Sequence, residues 1–223
     1  MVGLMRTHHL ALTLLGSLFL LGCPSASSLT SARTLDEGQL QFVIAPNLVG
    51  LGVSGDEGTA VPFIPMVEGQ FRYGISDHVE LGGKLWFGGF AGHMKFGLVR
   101  PESADTGFNL SLDPGLSYTG LTVNDAVVGA VYVYLPVMMG FRFGSGHELT
   151  IGPRLVPVFG GISAGDGGSG GNALLAGSSL GGSFKLGSLR LMPEFSLLAD
   201  TRPEPGAQRA VFSQFSLGFA FGG

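Results

Sequence analysis

"FRYGISDHVELGGKLWFGG", Phe71 to Gly89, holds two runs of alternating apolar and polar residues on either side of a polar turn. One parity carries Phe71, Tyr73, Val79, Leu81, Leu85 and Phe87; the other carries Arg72, His78, Glu80, Lys84 and Trp86. Successive side chains of a strand point to opposite faces, so the stretch reads as a hairpin with a greasy face and a charged face. A soluble sandwich, its greasy face turned into a core, shows the same alternation. The rest of the chain has to decide between the two.

Ten such segments can be placed: Gln39 to Val49, Pro62 to Tyr73, His78 to Phe87, His93 to Val99, Phe108 to Tyr118, Ala126 to Phe143, Glu148 to Phe159, Ala173 to Leu186, Leu189 to Ala199 and Val211 to Phe221. Ala126 to Phe141 is the best helical alternative. As a helix it would reach only about 24 Å, short of a hydrocarbon core of about 30 Å, and it is valine-rich with Pro136 at its centre, so it too reads as a strand. Glycine is abundant, 39 of 223 residues, without a collagen period, and a hydrophobic content of 45% is too high for disorder. Helical periodicity is scarce. The class is all-β. A net charge of -4 with no basic cluster argues against a nucleic-acid partner.

Charge then separates the faces. Glu68, Arg72, Glu80, Lys84, Lys95, Asp113, Arg142, Glu148, Arg154, Lys185, Arg190 and Glu194 all fall opposite the apolar face of their segments. Acids and bases are mixed, as in a lumen where they can pair, whereas a soluble barrel scatters charge outside. The spacing suggests the pairs Glu68 with Arg72, Glu80 with Lys84, and Arg190 with Glu194. Small residues of the eighth and tenth segments leave the most room beside Lys185 and Arg190.

The connections give a second test. Those after segments two, six and eight are short; those after one, five, seven and nine are longer, including a glycine-rich stretch, Gly160 to Asn172, expected as a flexible exposed loop. The exceptions are a short connection after segment three and a long one after segment four. Even-numbered segments end in Phe71 and Tyr73, Phe96, Phe141 and Phe143, Phe184, and Phe219 and Phe221, all on the greasy face, as an interfacial aromatic ring requires. Prolines inside the segments, among them Pro62, Pro65, Pro114, Pro136, Pro153, Pro157 and Pro193, weigh against regular ladders.

Ahead of the segments, Met1 to Gly22 has the single charge Arg6 and the apolar run Leu10 to Leu21, which reads as an export signal. Leu20-Leu21-Gly22-Cys23 resembles the bacterial lipoprotein cleavage motif, which implies lipidation of Cys23; an ordinary secretory signal with a chance cysteine is the alternative. Residues 23–37 are then a lipidated or flexible amino-terminal segment, and 38–223 the folded unit. Cys23 is the sole cysteine, so no intrachain disulfide forms.

The pattern resembles the bacterial outer-membrane β-barrel families. Their carboxyl-terminal assembly signal is matched by Gln214, Phe219 and Phe221, with Ser216 in place of a glycine and Gly222-Gly223 where an aromatic terminus is usual. The resemblance implies an outer-membrane location, lipid and the barrel insertion machinery as partners, and an antiparallel up-and-down barrel of about ten strands.

Catalytic patterns find no context. Gly177-Ser178-Ser179-Leu180-Gly181 and Gly167-Gly168-Ser169-Gly170-Gly171 spell G-x-S-x-G but lack the strand, turn and helix of a nucleophile elbow. His78, His93 and His147 have no ligand spacing, so neither a metal nor another cofactor is expected. The reading is a non-enzymatic outer-membrane barrel with an envelope-structural or surface-contact role and an unnamed surface ligand. Two alternatives stand beside it: a narrow pore or small-ligand carrier, and a soluble lipid-anchored sandwich or barrel in the periplasm.

Overall fold

The computed structural model describes residues 25–54, 63–103, 105–123, 126–164, 167–201 and 209–223. Met1 to Gly22 and Cys23 lie outside the described residues, as does Pro62. The strands are β1 (Leu40–Ser54), β2 (Phe63–Ser76), β3 (Val79–Trp86), β4 (Gly89–Val99), β5 (Gly107–Leu112), β6 (Gly115–Val123), β7 (Ala126–Phe143), β8 (His147–Ala164), β9 (Gly167–Leu186), β10 (Leu189–Asp200) and β11 (Arg209–Gly222). Each pairs antiparallel with its neighbours, and β1 pairs with β11, so the sheet closes on itself.

β5 and β6 are two halves of one barrel strand. Both lie between β4 and β7 in a single register, with Leu112 opposite Val137 and Gly115 opposite Tyr134. The break is Asp113-Pro114, where proline has no amide to donate. The ladder bridges it: Asp113 N–H donates to the Pro136 carbonyl at 3.2 Å, and Met94 N–H to that of Pro114 at 3.0 Å. The barrel therefore has ten strands, the number the alternation implies.

The other prolines sit where a ladder lapses on one side. Pairing between β1 and β11 skips from Ile44–Phe219 to Asn47–Ser216 at Pro46, and pairing between β9 and β10 skips Pro193. Between β7 and β8 the register passes over Pro157 and Pro153, while both remain paired with β9. A strand with partners on two sides can spare one bond where its neighbour's side carries none.

The greasy parity faces outward. Phe42, Ile44, Leu81, Leu85, Phe141 and Leu180 are all exposed, while Glu80 and Lys95 are each 0% exposed. This excludes a soluble sandwich with the apolar face as its core. An apolar exterior around a closed ladder is the arrangement hydrocarbon demands, because every backbone polar group is paired within the wall.

Both ends of the barrel chain, Leu40 and Gly222, lie at one mouth with the connections 77–78, 100–106, 144–146 and 187–188. In outer-membrane barrels this mouth faces the periplasm. Two expected loops prove shorter than the sequence suggests. β6 runs to Val123 and β7 resumes at Ala126, and the glycine-rich stretch is no loop: β8 continues to Ala164 and β9 begins at Gly167, with Gly160 opposite Gly171 and Gly161 opposite Gly170. Ladder bonds need only backbone, so strands persist where side-chain alternation has vanished.

Candidate functional site: an occupied lumen

The lumen holds part of the chain itself. Ser25 to Leu35 carries no regular secondary structure, and its side chains are buried except at Ser28, which is half-buried. Residues 25–35 of the amino-terminal segment, expected to be lipidated or flexible, are thus enclosed by the barrel. Its composition explains why it fits: apart from Leu29, Arg33 and Leu35, residues 25–35 are serine, alanine and threonine, little wider than the backbone.

The segment enters from the periplasmic mouth. Gly38, at φ 77°, supplies the left-handed residue of the reversal into β1, and it donates its N–H to the Gly74 carbonyl at 2.9 Å. From there a staircase of main-chain donors climbs the wall. Leu35 N–H donates to Glu80 at 2.9 Å, Ala32 N–H to Glu148 at 2.5 Å, Leu29 and Ser28 N–H both to Glu194 at 2.7 Å, and Ala26 N–H to Gln214 at 2.7 Å. Two consecutive amides on one carboxylate form an anion-binding nest, which accounts for the positive φ of Leu29, 42°.

Carbonyls of the same segment meet cations. Lys84 Nζ donates to the carbonyls of Ser25 at 3.0 Å and Ser27 at 2.7 Å, and Arg154 Nη1 to that of Ala26 at 2.5 Å. Tyr134 donates its hydroxyl to the Ser25 carbonyl at 3.1 Å, and its ring lies 5.7 Å from the Lys84 ammonium. Glu68 accepts from the hydroxyls of Ser25 and Ser27 and from Gln70. Buried charges are tolerable when their remaining donors and acceptors are met, and here the threaded backbone supplies partners to Lys84, Arg154, Glu80, Glu148 and Glu194, while Arg72 Nε and Arg154 Nη2 stay without one among the described residues.

Apolar contacts complete the fit. Ala26 packs with Val49, Tyr132, Tyr134, Val156, Leu198 and Phe212, and Leu29 with Val43, Ala45, Met192 and Ala220. Gly140 faces the segment closely: a Cβ there would stand 2.4 Å from a Glu148 carboxylate oxygen and 2.7 Å from Ala32 Cβ. Beside Ser27, Lys84, His93 and Tyr134 a cavity of about 40 Å³ remains, room for roughly three waters.

Of the charges singled out from the sequence, Glu68, Arg72, Glu80, Lys84, Lys95, Asp113, Glu148, Arg154 and Glu194 are buried in this lumen. Arg142 and Arg190 are half-buried, and Lys185 stands exposed, all three at the periplasmic mouth. The expected pairs are not the ones formed. Glu80 binds Arg72 at 3.3 Å and Lys95 at 2.9 Å, Glu148 binds Arg142 at 2.8 Å, Glu194 lies 3.8 Å from Arg154, and Asp113 meets His93 at 2.6 Å. Arg190 donates to the Gly146 carbonyl and to Ser183, neither of them charged. Neighbours across the lumen displace neighbours along a strand, and the threaded segment takes the remaining acceptors.

Gln214 points inward, holding Ala26. Phe219 and Phe221 point outward at the periplasmic end, opposite Ile44 and Phe42. Phe71, Tyr73, Phe96, Phe141 and Phe143 are exposed at the same end. Ser178 and Ser179 lie within β9, half-buried and buried, and Ser169 is exposed near the far tip of the β8–β9 hairpin.

No family model and no curated protein matches the chain. Among solved structures, the outer-membrane protease OmpT of Escherichia coli aligns with a TM-score of 0.52 at 9% identity, covering 86% of this chain and 100% of OmpT. Ail, the attachment invasion locus protein of Yersinia pestis, aligns at 10% identity over 83% of this chain and 99% of its own, TM-score 0.39. Neisserial surface protein A aligns at 10% over 81% and 96%, TM-score 0.43. Closure of the sheet and the outward apolar face, with the likeness in fold to OmpT, define a β-barrel of the outer-membrane type.

Proposed function

We propose that the protein is a non-enzymatic outer-membrane barrel with an envelope-structural or surface-contact role, exported by the signal Met1 to Gly22 and lipidated at Cys23. Gln214, Phe219 and Phe221 are its signal to the insertion machinery. The observation that carries the reading is the filled lumen: at four successive levels, those of Glu80, Glu148, Glu194 and Gln214, the wall is hydrogen-bonded to the chain's own backbone. A barrel so closed presents its exterior and its far rim as working surfaces. The likeness to OmpT concerns fold, and fold alone does not transfer a protease's chemistry.

The alternative, a narrow pore or carrier, differs in what the lumen must do. The full protein reconstituted in a planar bilayer shows no steady conductance on the present reading, and deletion of residues 25–35 opens a current. A large, stable conductance of the full protein favours the pore instead.

A further inference from the structure

More basic than acidic side chains line the periplasmic mouth. A cavity of about 180 Å³ opens there, and its lining includes Arg33, Arg72, Arg142, Lys185 and Arg190 against the acids Asp36 and Asp105, with Gly223 at its edge. Three acids in and beside this mouth are already engaged. Asp36 is shared by Arg33, at 3.7 Å, and Arg100; Glu80 is shared by Arg72 and Lys95; Glu148 is taken by Arg142 and the Ala32 amide. Among the described residues Arg190 donates to the Gly146 carbonyl and the Ser183 hydroxyl, both neutral, and Lys185, on the adjacent strand and directly opposite it in register, stands exposed. Arg72, 1% exposed, keeps a buried Nε without an acceptor. Ser31 and Ser183 add hydroxyl groups to the same lining.

We propose that this mouth is a binding site for a doubly charged oxyanion of the phosphate class, a free phosphate or the phosphomonoester of a lipid headgroup. Arginine forks and a lysine supply charge-assisted donors that suit tetrahedral oxygens, and a partly enclosed mouth weakens the attraction less than open water does. The cavity has room for on the order of ten water positions, enough for such an ion with part of its hydration. Conductance and anion binding are independent: the site sits at the rim, and it stands whether or not the lumen is closed.

The test uses the full protein, purified in detergent at low salt and titrated calorimetrically with inorganic phosphate, alongside nanodiscs containing phosphatidic acid or only phosphatidylcholine. Saturable phosphate binding that weakens at least tenfold in Arg190→Gln/Lys185→Gln establishes the free ion as a ligand. Binding confined to phosphatidic acid nanodiscs, with the same loss in the variant, establishes the headgroup. Should the double variant fail to show heat-dependent gel mobility, Lys185→Glu serves in its place, since an exposed charge reversal leaves the wall intact. No saturable binding to either source, or binding that survives these substitutions, overturns the proposal.

Discussion

Glu194 shows how one side chain joins the threaded segment to the wall. It accepts from Ser28 N–H, Leu29 N–H and the Ser196 hydroxyl, and it stands beside Arg154. Glu194→Ala leaves the buried Leu29 amide and the half-buried Ser28 amide without acceptors and the buried Arg154 guanidinium without its carboxylate, a loss of about 3–5 kcal/mol. The temperature at which the barrel loses its compact gel mobility is expected to fall accordingly; an unchanged transition contradicts the assigned contacts. On the other face, Leu81 is 43% exposed toward lipid. Leu81 pairs with Tyr73 close to the periplasmic interface, so Leu81→Arg is expected to lower stability or insertion by only about 1 kcal/mol or less, measured by refolding into bilayers. Lys84 offers no neutral control, because it is buried and holds two carbonyls of the segment.

Individual strands were legible to different degrees, for a physical reason. Where one face meets lipid and the other meets charge, as in Arg72, Glu80 and Lys84 against Phe71, Leu81 and Leu85, alternation reports the strand and its orientation together. β8 and β9 beyond Gly160 carry no such contrast, yet their backbones remain paired. The resulting hairpin places Ser169 near the mouth opposite the barrel termini. In intact cells a membrane-impermeant maleimide is expected to label Ser169→Cys in a Cys23→Ser background. Labelling only after the outer membrane is disrupted contradicts the orientation.

For the whole molecule, the alternation gave the ten-stranded closure and the inward face of the charges, but neither their partners nor the threaded segment. Partners across a lumen depend on strand tilt and register, which residue spacing along one strand does not encode. Ser25 to Arg33 has no periodicity because an extended chain enclosed on all sides has no distinct faces; its legible sign was a run of small side chains. That run both supplies donors to the wall's carboxylates and fills the lumen. Amide hydrogen exchange of the full protein in detergent tests this most directly. The amides of Ala26, Ser28, Leu29, Ala32 and Leu35, bonded inside the barrel, are expected to exchange as slowly as those of the neighbouring strands. Exchange of residues 25–35 at the rate of an unstructured chain would contradict it.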